Sequence, residues 1–259
     1  MPNSTLRAHA LALRSVALLS MAAALALAPA PAAAKSVVLP WIAQSRGVLA
    51  ASTELFVHNP GRAPLAVSLA VVPPSGDPVP CGSLVVAPNA TSPTADARRR
   101  LCGNAAAAGI LVATVDDAGE APVVASTDTF VVRGAGSVAR TSPALHDADA
   151  ALPGQAQHLT GLRQGGNART ALWLYNPSTG AGEYDVVYRG LDGGEIGTTR
   201  VTLGAGKLRQ ISPNQHPIPA AAPGPFTVEI VVRAGALLSF GIVGDEAGAL
   251  AAIVPGETR

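Results

Sequence analysis

Apolar and polar positions alternate with a period of two through most of the chain from residue 36 onward, the spacing of half-buried β-strands. The clearest run is Thr53-Glu54-Leu55-Phe56-Val57-His58, in which Thr53, Leu55 and Val57 share one face, stopped by Asn59-Pro60. It returns as Thr170-Ala171-Leu172-Trp173-Leu174-Tyr175 before Asn176-Pro177, 117 residues later. That interval is too long for one solenoid turn and suits a small domain. The pattern therefore predicts one β-domain used twice.

Opening runs ending in Gln44 and Gln164 lie 120 residues apart. At 117 residues, Leu65, Val67, Leu69 and Val71 match Tyr184, Val186 and Tyr188, with Ser68 and Asp185 facing out. Hairpin turns at Ser75-Gly76 and Asp192-Gly193 and strands at Leu84-Val85-Val86 and Val201-Thr202-Leu203 keep that interval. Segments 88–108 and 205–223, rich in Pro, Ala and Asn, read as loops. Leu111, Ala113 and Val115 match Phe226, Val228 and Ile230 at 115 residues, with Thr114 and Glu229 toward water, and Val123-Val124-Ala125 matches Leu238-Ser239-Phe240. Both copies end on a strand before Pro143 or Pro255. The expected fold is all-β: two tandem antiparallel Ig-like β-sandwich domains over 35–135 and 157–259, with 136–156 a linker or crossover strand. A closed barrel is the alternative.

Residues 1–34 change the picture. Arg7 and Arg14, an apolar run over 16–28 and Ala32-Ala33-Ala34 make a signal peptide cleaved after Ala34, so the mature chain is expected to be secreted or periplasmic. The run is shorter than the ~20 residues a bilayer span needs, so no stable membrane span is expected after cleavage. Helical periodicity is confined to this leader. Removing its two arginines takes the formal charge from +1 to −1, which gives nucleic acid nothing to hold. The one basic cluster, Arg98-Arg99-Arg100, reads as a solvated loop. Cys81 and Cys102 are an even pair in an exported chain, hence a disulfide rather than a metal site.

Candidate chemistry is sparse. No G-x-S-x-G occurs; Gly134-Ala135-Gly136-Ser137-Val138 comes nearest and lacks the last Gly. His58, His146, His158 and His216 are scattered, and Asp116-Asp117 and Asp147 with Asp149 read as turn or linker acids. Asn89-Ala90-Thr91 is a formal glycosylation sequon. No catalytic residue, metal or cofactor is expected. What remains is aromatic: Trp173 and Tyr175 fall on the strand face that a one-sided sheet would leave polar, where the first copy has Phe56 and His58. Such a shelf either stacks on a sugar or peptide or is buried against the other domain or the second sheet. The expected function is a non-catalytic structural, surface or interaction module; the alternative is a carbohydrate- or peptide-binding module. Its partner would be another exported protein or a glycan.

The residues Arg169-Thr170-x-Leu172-x-Leu174-x-Asn176-Pro177, Asp192-Gly193 and Leu203-Gly204-Ala205-Gly206 resemble a group of uncharacterised bacterial secreted proteins with tandem β-sandwich repeats. That group carries an R-T-x-L-x-L-x-N-P strand, a D-G hairpin and an L-x-P-G strand end. The likeness covers most of residues 36–255 and is better in the second copy, since Ser52 and Ser75 replace the Arg and Asp in the first. Ala205 replaces the Pro that Pro88 keeps. The resemblance implies the fold and an exported location, and no activity. A more distant likeness is to periplasmic pilus chaperones, whose client-binding cleft no residue here matches.

Overall fold

The predicted central strands form, and the hydrogen-bonded ladders that join them come in two matching sets. In the first half β1 (Lys35–Ile42), β3 (Leu65–Val72), β4 (Val79–Val86), β6 (Gly109–Val115) and β9 (Leu145–His146) make a five-stranded sheet in the order β4-β3-β6-β1-β9. Beside it β2 (Ala50–His58), β5 (Thr91–Thr94), β7 (Val123–Val132) and β8 (Gly136–Pro143) make a four-stranded sheet in the order β5-β2-β7-β8. In the second half β10 (Ala156–Gln164), β12 (Gly182–Arg189), β13 (Glu195–Leu203), β15 (Gly224–Ala234) and β18 (Glu257–Thr258) give β13-β12-β15-β10-β18. There β11 (Ala168–Tyr175), β14 (Leu208–Ile211), β16 (Leu238–Asp245) and β17 (Leu250–Pro255) give β14-β11-β16-β17. Strand for strand the two orders are the same, and every pairing is antiparallel. The structure is a computed structural model describing residues 35–42, 50–103, 109–115, 123–132, 136–215, 224–245 and 250–259. The predicted signal peptide, Asp116-Asp117 and His216 lie outside them.

Alternation dictates the cores. Thr53, Leu55 and Val57 of β2 face Val37, Leu39, Leu65, Val67, Leu69, Val71 and Leu111 across the first sandwich. Leu172 and Leu174 of β11 face Leu159, Leu162, Tyr184, Val186, Tyr188, Phe226, Val228 and Ile230 across the second. The expected hairpin glycines hold positive φ, +100° at Gly76 and +79° at Gly193.

The ladders correct one register. Val71 pairs with Leu111 and Tyr188 with Val228, so Leu111 corresponds to Val228, not to Phe226, and the 117-residue interval runs on through β6 and β15. The change to 115 comes only with β7 and β16, where Phe56 pairs with Ala125 and Trp173 with Phe240. Val112 thus corresponds to Glu229.

Both segments expected to be loops carry structure. Residues 88–108 contain β5 and a short helix, α1 (Ala97–Cys102); residues 205–223 contain β14 and a 3₁₀ turn, Pro213–Gln215. Arg98 of the supposedly solvated cluster is buried in α1, whereas Arg99 and Arg100 are exposed and Arg99 pairs with Asp96 at 3.0 Å. The Cys81–Cys102 disulfide forms and ties the end of α1 to β4, both sulfurs belonging to the first core. Of residues 136–156, β8 pairs with β7 and β9 with β1, so both strands stay in the first half, and residues 147–155 make the connection.

Asn59 and Asn176, read in the sequence as strand stops, do more. Asn176 is fully buried; its Nδ2 donates to the carbonyls of Gly180 (2.8 Å) and Gly204 (3.0 Å), and its Oδ1 accepts from the Ser178 N–H (3.1 Å). Asn59 repeats this with Ala63 O (2.7 Å), Val86 O (3.0 Å) and the Gly61 N–H (2.9 Å). Each side chain stitches the turn after the central strand to the neighbouring strand end, supplying partners that a buried turn would otherwise lack.

Candidate functional site

The aromatic face is the strongest candidate from the sequence, and β11 explains its geometry. Since Leu172 and Leu174 point into the second core, Trp173 and Tyr175 must point the other way. They meet the first half there. Trp173 (5 % exposed) and Tyr175 (7 %) join Leu208, Leu238 and Phe240 of their own sheet against Val38, Val72, Ile110 and Val112 from the outer face of the five-stranded sheet. Trp173 and Phe240 stack with ring centroids 5.8 Å apart and planes 6° from parallel. The four sheets therefore form four layers with three cores, the middle core being this seam.

The seam is written in side chains that the ladders make equivalent. On the five-stranded sheets, Val38, Val72, Ile110, Val112 and Leu145 of the first half correspond to His158, Arg189, Thr227, Glu229 and Glu257 of the second. On the four-stranded sheets, Ala171, Trp173, Tyr175, Leu208 and Ile242 of the second half correspond to Glu54, Phe56, His58, Thr91 and Thr127 of the first. Each of these positions is apolar where the two halves meet, whereas its counterpart on an outer layer is polar, Phe56 excepted; the seam residues Leu238 and Phe240 correspond to Val123 and Ala125, which are also apolar. Phe56 and His58 stay partly exposed, and the His58 Nδ1 shares a hydrogen bond with Thr91 Oγ1 at 3.1 Å. The structure thus brings Trp173 and Tyr175 together and leaves Phe56 and His58 on the opposite outer layer.

At the rim, Lys207 Nζ donates to the Gly76 carbonyl (3.0 Å) and forms an ion pair with Asp77, whose carboxyl it holds below the usual range. On the outer face of the second half the charges satisfy one another. Asp185 accepts from Arg200 and Arg233, each at 2.8 Å, which depresses its carboxyl, and Arg189 pairs with Glu229 at 2.8 Å. Asp185 faces outward as expected yet is buried, because the two guanidinium groups cover it.

Reactive chemistry does not converge anywhere in the described residues. They include no group of three or more His, Cys, Asp or Glu placed to hold a metal ion. One concavity lies at the β10–β11 turn, among Arg163, Gly165, Asn167 and Pro225; another is lined by Leu145, Asp149, Leu152 and Glu257. Neither sets a nucleophile beside a base. No described helix is long and apolar enough to cross a membrane. In comparisons with known proteins, no family model matches the chain and no curated relative is found.

Proposed function

We propose that the chain is an exported, non-catalytic protein built from two tandem Ig-like sandwich copies fused through their seam, serving as a structural, surface or interaction module. The observation that carries this reading is the fate of the aromatic shelf. Trp173, Tyr175 and Phe240, the side chains best suited to grip a ligand, are spent on joining the halves. The disulfide and the leader-like residues 1–34 support export to an oxidising compartment, secreted or periplasmic.

Trp173→Ala tests the reading. Truncating a buried tryptophan costs about 3–5 kcal/mol, so melting should fall by roughly 6–20 °C for a chain of this size, while binding on a glycan array stays as in the parent. A glycan held by the parent and lost in Trp173→Ala at unchanged melting temperature would favour the second reading, a carbohydrate- or peptide-binding module. That alternative draws support from Phe56, the aromatic left partly exposed on an outer layer.

A further inference from the structure

Where the chain leaves the first half, Asp147 opens the 3₁₀ turn Asp147–Asp149 directly after β9. Its Oδ2 accepts a hydrogen bond from the Ser36 N–H on β1 at 3.0 Å. Its Oδ1 is sealed from solvent and has no hydrogen-bond partner. No lysine or arginine pairs with this carboxylate among the described residues. The groups that face it are Ser36 from β1, His146 on its own segment and Tyr175 from β11, across the seam. A second orphan lies in the same seam, the buried Nε1 of Trp173, which finds no acceptor. Buried polar atoms without partners are rare in folded proteins and mark places where folding energy is given up.

We propose that Asp147 is a pH-responsive latch on the seam: the halves close more tightly over the Trp173 face when this carboxyl is protonated and loosen when it is ionised. Burial penalises the charged form, and neither the Ser36 bonds nor His146 offsets that penalty, so the carboxyl sits above its ordinary range. The reciprocal effect appears on Tyr175, whose hydroxyl is pushed up to about 12, first by burial and then by the Asp147 charge. The sign follows from linkage. A raised carboxyl contributes stability fully below its unfolded value of about 3.9 and loses that contribution as pH rises through the folded value. Asp77 and Asp185, held low by Lys207 and by Arg200 with Arg233, act oppositely and only in stronger acid.

The test compares the whole exported chain with Asp147→Asn and Asp147→Ala by melting at pH 4.5 and 7.5. Subtracting the parent at each pH removes the other carboxylates and any fixed cost of either substitution. The variant-minus-parent difference should be higher at pH 7.5 than at pH 4.5, since only the parent loses the Asp147 contribution as the carboxyl ionises. In a Trp41→Phe background, acrylamide quenching of Trp173 should rise with pH in the parent and stay flat in Asp147→Asn. A difference equal at both pH values in both variants, or quenching that rises equally with and without the carboxyl, overturns the latch.

Discussion

At the residue scale, the most consequential side chains that carry no charge are Asn59 and Asn176. Each is buried, and each ties a turn to a strand end two dozen or so residues away through both its amide and its carbonyl. Asn176→Ala removes the partners of Gly180, Gly204 and Ser178 at once and leaves those backbone groups unsatisfied, at about 1–3 kcal/mol each where they stay dry. Water reaching the partly buried members lowers the sum. We therefore expect a loss of about 2–4 kcal/mol in urea unfolding at unchanged m-value. Asn176→Asp keeps the acceptor for Ser178 but turns a buried carboxylate toward the carbonyls of Gly180 and Gly204, so at neutral pH it should cost more than Asn176→Ala; equal losses for both substitutions would place the role of this residue elsewhere than in its hydrogen bonds. The Asn-Pro pattern was legible in the sequence as a stop signal. The clamp was not, because its acceptors Val86 and Gly204 adjoin the turn only once β4 and β13 have folded back.

Among the elements, strands were legible wherever alternation ran for six residues or more, as in β2, β3, β11 and β12. β5 and β14 were not, being four residues each, with Pro93 in one and Arg209-Gln210 in the other. The register of β6 against β15 misled for a physical reason. Sliding a strand by two residues returns every side chain to its own face, so Leu111 fits the Phe226 slot as well by pattern as the Val228 slot it occupies. α1 escaped notice because six residues hold no amphipathic repeat, and what anchors them is the disulfide from Cys102 to Cys81 on β4. That bridge spans 21 residues and should contribute about 3 kcal/mol in the chain-entropy account. Reduction, or Cys81→Ala with Cys102→Ala, is expected to loosen α1 first. Hydrogen exchange checks this: protection should fall in residues 97–102 and β4, with β12 and β15 unchanged, whereas an even loss across both halves would show that the bridge supports more than its own corner.

On the scale of the whole molecule, the seam decides how two similar halves become one body. One part of it was visible beforehand, the aromatic residues on the face of β11 that a one-sided sheet would leave polar; the run Ile110-Leu111-Val112-Ala113 in β6, apolar on both faces as in a strand covered on both sides, was read for its Leu111 face alone. Which surface covers which emerges only from the ladders, where Val112 and Glu229 prove to be the same position in the two halves. A direct exchange follows. Val112→Glu places in the middle core the residue that the second half carries on its outer layer, and there it meets Trp173, Phe240 and Leu238 instead of an arginine. An unpaired buried charge costs about 3–5 kcal/mol, and separating the halves relieves it without touching the residues of either sandwich core. Calorimetry should then resolve two transitions in place of one, and small-angle scattering should give a larger radius of gyration, because the connection over residues 147–155 still holds the halves together. Thr227→Glu, the counterpart of Ile110 on the outer layer beside Arg189, should leave both measurements as in the parent. If Val112→Glu keeps one transition and the parental radius, then a seam built of valine, isoleucine and tryptophan is not what joins the halves.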